Sequence, residues 1–476
     1  MRHTLRRSCD ACARSKHSCD LATPRCSRCV KRKVQCAYAN EPLTRSLATP
    51  DRAGTGASGA LARTGYRFAA VDPFDSYPPT RLPREHVQRL IHSFLHKIAF
   101  QYYPLDLNAT TNPFLVSWWP IALGDPALFH VSLQTACLDE ELIAQRGFHS
   151  SEILMADSVA LLRRKVENSS LAVQDGTMNC VITLATIEFG KGNIKVAKMH
   201  VEGVKKLVDL RGGIQSVRQT SPLTARMISW VSMLIMGHPQ FQTQDDAGGG
   251  HGIPPTPEWQ LDPTALQAGL PELDGAEIDC EVRNVFTRLR NAFHRRRRLP
   301  LPSARLHDLT CFVIHRLLHP ASGTTEQQQS SSLTESLRCA IILYMFIIQG
   351  PTYFSHAVIF HQFLTRLVAH LKEMESTQDI TYDSIHVWFL AVGMVSSTGT
   401  PHYPWFMERA RAATASLQLS SWDNVLVHIK SVLWLETVHG EDIFRPHWDA
   451  LLHGASPPEP PEAVYVSPGI TGAAFI

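Results

Sequence analysis

Residues 9–36, CDACARSKHSCDLATPRCSRCVKRKVQC, decide how this chain of 476 residues is read. The six cysteines Cys9, Cys12, Cys19, Cys26, Cys29 and Cys36 follow C-x2-C-x6-C-x6-C-x2-C-x6-C, which is two copies of C-x2-C-x6-C. Two residues between a pair of cysteines let the chain turn and aim both sulfurs at one point. Six residues before the third cysteine leave room for a short helix. Zinc takes four ligands in a tetrahedron, with Zn–S near ~2.3 Å. One zinc on six cysteines leaves two ligands idle. Two Zn2+ need eight ligand positions, which six sulfurs fill if two of them bridge. The internal repeat makes the first cysteine of each half, Cys9 and Cys26, the natural bridges. So short a segment has almost no apolar core, and bound metal must supply most of its folding free energy.

The charge around the cysteines fits this chemistry. Two zinc ions and six thiolates sum to −2, an excess that nearby Lys and Arg offset while favouring thiolate over thiol. Residues 1–36 hold ten basic side chains (Arg2, Arg6, Arg7, Arg14, Lys16, Arg25, Arg28, Lys31, Arg32 and Lys33) against Asp10 and Asp20, a net +8. The whole chain carries only +3, so the remainder carries −5. A compact basic head on a mildly acidic body points to a polyanion as the head's partner.

Other uses of clustered cysteine are weighed by context. A disulfide knot wants a secreted protein, whereas the start, MRHTLRRSC, is basic with no apolar stretch behind it and is no secretory signal. The longest apolar run, Cys339 to Ile348, is far short of the roughly 20 residues of a membrane helix. The reading is a soluble, intracellular chain. A metallothionein-like store wants cysteine throughout, but here clustering stops after residue 36. A zinc-supported protein-interaction module on a helical scaffold stays open as the alternative. The other five cysteines, Cys137, Cys180, Cys280, Cys311 and Cys339, lie in apolar surroundings and read as buried thiols.

This stretch resembles the fungal-type zinc binuclear cluster (Zn2Cys6) DNA-binding domain of transcription factors. Cysteine spacing, Asp20 after the third cysteine and Pro24 two residues before the fourth all match. The resemblance implies two zincs with the first and fourth cysteines bridging. It puts Lys16 at the family's base-reading lysine, at a helix end that enters the major groove over a CGG-type triplet; a lysine can donate to O6 and N7 of guanine. Ala13 and Ser18 stand where the family often has cations, and Arg14 and His17 are the residues placed to compensate. Lys31, Arg32 and Lys33 of the second half suit phosphate better than bases. A nuclear transcription regulator follows, with double-stranded DNA and a co-regulator or the transcription machinery as partners. By analogy with similar-looking fungal proteins, a pathway-specific role in a metabolic gene cluster follows as well.

Outward from the head, residues 41–83 are rich in Gly and Pro, carry no apolar heptads and read as a flexible linker. Without a coiled coil there, a homodimer is left undecided. From 84 to 455 the pattern is helical. Val87, Leu90, Ile91, Phe94, Leu95 and Ile98 recur at three and four. A second helix is expected at about 150–167, and a third around Val196–Val208 with a stop at Gly212-Gly213. The most apolar helix, around Ile341–Ile347, is expected to be central. The fold class is therefore a small two-zinc, six-cysteine cluster domain over residues 1–40, a flexible linker and a large all-α regulatory domain. Mobile loops are expected near 242–275 and 322–335, and a tail at 456–476. Arg295 to Arg298 read as a nuclear-import signal, a phosphate patch or a solvated helix end. Asn112-Pro113-Phe114, Trp118-Trp119, the stretch Asp125 to His130, Leu210 to Gly213 and Phe444 to Trp448 resemble, in order, the family's helical regulatory region. No G-x-S-x-G, H-E-x-x-H or P-loop occurs, and no catalytic residues are assigned.

Overall fold

The computed structural model describes residues 9–20, 26–36, 77–145, 147–261, 273, 275–295, 301–318, 331–350, 352, 356–377, 381–437 and 440–454. The linker reading lies outside them up to residue 76, as do 322–330 of the second loop, Arg296 to Arg298 and the tail. The chain divides into two compact units, Met1–Val71 and Asp72–Ile476. The first contains two short helices, α1 (Asp10–Arg14) and α2 (Ser27–Lys31), each opening directly after a cysteine. The described residues of the second form helices and their connections, and their one β contact is the isolated bridge between Thr243 and Ile253.

In the second unit α3 (Arg84–Ser93) buries Val87, Leu90 and Ile91, and Phe94, Leu95 and Ile98 continue the predicted face. The helix does not stay α-helical. Phe94–Ile98 is a π turn before α4 (Ala99–Tyr102), and Phe114–Trp118 is another before α5 (Trp119–Gly124). A π turn accommodates one extra residue, so neighbouring bulky side chains such as Phe94 and Leu95, or Trp118 and Trp119, all reach the core. Asn112 ties the intervening loop down: its amide donates to the Asp106 carbonyl (2.8 Å) and its oxygen accepts from the Phe114 N–H (2.9 Å).

The family-like residues of this half turn out to be joints. Asp125 caps α6 (Pro126–Ala144), accepting from the N–H groups of Ala127 and Leu128, with Pro126 at the first helical position; both features favour a helix start. The same carboxylate pairs with Lys165 of α7 (His149–Val166). After α8 (Ser169–Ala172), α9 (Asp175–Gly190) is buried from Gly176 to Glu188. Against it α10 (Ile194–Leu210) lays Ala197, Val201, Val204, Leu207 and Val208. Gly212 and Gly213, both at positive φ, end α10, and Arg211 beside them pairs with Asp175. α11 (Ile214–Thr220) and α12 (Pro222–Met236) complete this half.

The remaining helices are α13 (Cys280–Arg295), α14 (Ser303–Leu318), α15 (Ser332–Gln349), α16 (Ala357–Thr377), α17 (Ser384–Ser397), α18 (Tyr403–Leu417), α19 (Trp422–Val432) and α20 (Gly440–His453). α15 is central as its composition predicts, packing on α13, α14, α16 and α17. By length and composition it could cross a membrane, yet 72% of its apolar window is buried inside the protein. α17 and α18 approach so closely that a Cβ on Gly393 would lie 2.0 Å from the Phe406 ring. Asp308 on α14, buried, is gripped by Arg218 of α11 and Arg226 of α12 at 2.7 Å each. Burial pushes that carboxyl up, but the two guanidiniums prevail and hold it below the usual carboxylate range.

The stretch expected as a mobile loop near 242–275 makes long-range contacts over its described part. Trp259 is fully buried, its indole N–H donates to Asp246 (2.8 Å), and Asp246 also pairs with Arg288 and Arg316. Polar loop residues are satisfied here by partners far along the chain, so their polarity does not signal solvent. Arg295 belongs to the same anchor, donating to the Glu258 carbonyl (2.7 Å) and to that of Gln260. Cys280, read as a buried thiol, is exposed. It opens α13, and the inward face of that helix is formed by Val282, Val285, Phe286 and Leu289. The other four cysteines of the body are buried.

Candidate metal centre and nucleic-acid interface

In the first unit the sulfur of Cys9 accepts the N–H of Cys12 (3.4 Å) and so caps α1, and the sulfur of Cys26 accepts the N–H of Cys29 (3.4 Å) and caps α2. The two halves repeat bond for bond at the 17-residue separation of Cys9 and Cys26. Ala13 N–H to Cys9 carbonyl (2.9 Å) is matched by Val30 to Cys26 (3.1 Å), and His17 to Cys12 (3.0 Å) by Val34 to Cys29 (3.1 Å). Asp20 joins the halves, its carboxylate accepting the Ser27 N–H at 3.2 Å.

This arrangement gathers the six sulfurs. Cys9, Cys12, Cys19 and Cys26 form one group and Cys9, Cys26, Cys29 and Cys36 another, with the sulfurs of each group within 4.8 Å of one another. Cys9 and Cys26 belong to both. The separations Cys9–Cys26 (3.8 Å), Cys9–Cys29 (3.6 Å) and Cys12–Cys26 (3.7 Å) are far longer than the ~2.05 Å of a disulfide. They equal the edge of a sulfur tetrahedron around zinc, about 3.8 Å for a Zn–S bond of ~2.3 Å. All six thiols are free, and all but the half-buried Cys19 are buried.

Packing thiols so closely splits their acidities. The Cys29 N–H on the Cys26 sulfur holds that thiol below its ordinary pKa. Burial opposes the same trend at Cys9, but the Cys12 N–H wins and lowers it too. Burial, with those neighbouring sulfurs, pushes Cys12 up to about 12 and Cys29 higher still. A divalent cation is what can hold so many close sulfurs together as thiolates. The donor set fits zinc.

The cations lie around this centre. Arg14, Lys16, His17, Lys31, Arg32 and Lys33 are all exposed, and Arg28 is half-buried. Arg14 and Lys31 occupy matching places in the two halves, as do Lys16 and Lys33. Both of the latter have φ of 52°, the left-handed region where a helix end usually prefers glycine. Ser15 is matched by Arg32 and Ala11 by Arg28, which gives the second half two more cations. His17 turns its Nδ1 back to the Ser15 carbonyl. Sequence reasoning placed these cations but missed the shared backbone conformation of Lys16 and Lys33; the signal was their common position, four residues past the second cysteine of each half.

The fungal Zn(2)-Cys(6) binuclear cluster domain matches residues 7–46, and the fungal specific transcription factor domain matches residues 89–237. No curated protein and no solved structure matches the chain.

Proposed function

Because the chain carries the paired domains of a fungal Zn2Cys6 DNA-binding transcription regulator, we propose that its head holds two zinc ions and reads a CGG-type triplet in the nucleus of a fungal cell. Cys9 and Cys26 bridge the ions; Cys12 and Cys19 complete one tetrahedron, Cys29 and Cys36 the other. The observation that carries this reading is the sharing of the Cys9 and Cys26 sulfurs between two four-sulfur groups. Zinc supplies the fold of the head, and chemistry on a substrate is no part of the reading.

Lys16 sits at the C-terminal end of α1, exposed, and donates to base edges in the major groove. Arg14, Lys31, Arg32 and Lys33 neutralise phosphates, which fix register and make binding steeply salt-dependent. His17 contributes beside Lys16. The helical unit handles regulation and contact with a co-regulator, and control of one metabolic gene cluster suits such a protein.

The test is zinc stoichiometry on the full chain, followed by selection from random duplex DNA on the same sample. Two zincs per chain and an enriched CGG-like triplet are expected. One zinc per chain overturns the shared-sulfur centre. Two zincs with no enriched sequence shift the head to protein interaction or to purely electrostatic DNA binding.

A further inference from the structure

The face of α10 turned away from the core carries an apolar stripe. At about 100° per residue, Val196, Met199, Gly203 and Leu210 fall on one side of the helix, and the three side chains are 37%, 61% and 73% exposed. The buried positions Ala197, Val201, Val204 and Val208 point the other way, and α10 packs on α9 and α12. Gly203 stands at the centre of the stripe, with Val196 seven residues before it and Leu210 seven after. Nothing inside the fold asks for glycine there. The residue is helical, and an added Cβ would meet only the Val181 Cγ1 at 3.9 Å, an ordinary contact. A glycine inside a helix destabilises it relative to alanine. What the missing side chain leaves is room for a close approach from outside.

The charges of α10 are a second, independent observation. A helix favours acids in its first turn and bases in its last, and α10 has neither. It has Lys195 and Lys198 near its start and Asp209 next to its end instead. Lys195, Lys198, Lys206 and Asp209 are exposed and have no ion-pair partner among the described residues. With Glu202, which Lys205 holds at 3.3 Å, they line one flank of the stripe. A two-fold axis beside Gly203, perpendicular to the helix and lying in the plane of this face, sets a second α10 antiparallel to the first and brings like flanks to the same side. Each residue then faces the one equally far beyond Gly203 in the other copy. Val196 meets the partner's Leu210. Asp209, six residues after Gly203, falls between the partner's Lys195 and the partner's Lys198, eight and five before it. Lys206, three after, comes beside the partner's Glu202, one before. A parallel pair would instead set like charges against each other.

We propose that this face of α10 docks a second copy of the chain, as an antiparallel helix pair closing at Gly203. The pair removes Val196, Met199 and Leu210 from water, and each end gives its unpaired charges a partner of opposite sign. The surface is self-complementary, which is what a closed two-fold dimer requires. One pair of helices ~25 Å long lies at the small end of specific interfaces, below ~1,200 Å² in total, so the association is weak and depends on concentration. It puts two heads into one particle, so that a second head engages at high effective concentration once the first is bound. The docking face itself does not rest on the DNA-binding reading, and its test involves no DNA.

Sedimentation equilibrium of the full zinc-loaded chain reads the assembly. Monomer at about 1 µM giving way to dimer toward about 100 µM is expected. Asp209→Lys gathers three positive charges at each end of the pair and should weaken the dimer at least about tenfold. Lys195→Glu with Lys198→Glu, which sets two acids against Asp209, should do the same. Mixed one to one, these two variants should pair with each other about as well as the parent chain does, because both ends are then opposite in sign. Rescue in the mixture also shows that each variant is folded. Gly203→Ala should raise the Tm in dilute solution through helix propensity, yet weaken the dimer by placing a Cβ at the crossing. A chain that stays monomeric across the whole range overturns the proposal, as does a dimer that these changes leave intact, or mixed variants that fail to pair.

Discussion

Among the described residues of the head, the buried side chains that hold the chain together are Cys9, Cys12, Cys26, Cys29 and Cys36, flanked by Ala11 and Cys19. In the body, one continuous apolar core runs from Val87 to Trp448. Ordering a residue costs ~1–2 kcal/mol of backbone entropy in either place, but the compensating force differs. The body draws on apolar area removed from water, which every solvent condition near neutrality supplies. The head draws on metal–sulfur bonds, so its fold depends on a second chemical species. The two regions should therefore fail under different insults, and neither failure should carry the other with it.

The largest expected effect tests that independence directly. Cys26→Ala removes a sulfur from both four-sulfur groups at once. Zinc content should fall from two to one or none, and triplet-specific binding should be lost. The Tm of the body should stay where it was, as read by calorimetry and metal analysis on one sample. A body that melts early in this variant would break the comparison.

Acid supplies the reverse insult, read on the body. His307 and His447 are buried and His356 half-buried, and desolvation holds all three neutral, each with a pKa of about 4 in the fold against ~6.5 unfolded. Gln349 donates to the His307 Nδ1 (3.1 Å), and the Nδ1 of His447 lies 3.0 Å from the Tyr403 hydroxyl. Below pH ~6.5 the unfolded chain takes up protons that the fold refuses. Stability is thus full above that value and falls progressively down to about pH 4, by a few kcal/mol per histidine at most. Urea unfolding of the body between pH 7 and 4.5 should show the midpoint falling; a flat profile would mean these rings are solvated.

The smallest effect sharpens the comparison within the head. At φ of 52° Lys33 occupies a conformation that glycine takes without strain, and the difference is ~1 kcal/mol. Lys33→Gly should therefore make the zinc-loaded head slightly harder to unfold while lowering the salt slope of DNA binding by about one phosphate contact. An unchanged salt slope would remove Lys33 from the phosphate-facing set.

The legible parts of this molecule are those where spacing alone determines chemistry. The repeat of C-x2-C-x6-C pointed to Cys9 and Cys26 as special, and the structure brings those two sulfurs into both groups. Apolar residues at three and four from Val87 to Ile98 marked a buried face because helical geometry leaves no other arrangement. The π turns were not legible, since inserting one residue into a turn answers tertiary crowding around Trp118 and Trp119 and leaves the composition unchanged. Nor was the anchoring of residues 242–261, because Asp246 finds Arg288 and Arg316 only through the fold. Cys280 was misread for a related reason: one cysteine carries no periodicity of its own, and its face is set by the helix that follows.

Sharing two sulfurs also has a consequence for how the head would come to be assembled. Neither half contains four cysteines, so no ion can be fully coordinated by one half alone. The first zinc to take Cys9, Cys12, Cys19 and Cys26 already draws in the opposite half. It leaves the second group with Cys9 and Cys26 in place and only Cys29 and Cys36 to recruit. On the proposed two-zinc reading, loading is expected to be cooperative: limiting zinc should yield a mixture of empty and full heads with few half-filled ones, and the concentration range over which DNA binding switches on should be correspondingly narrow.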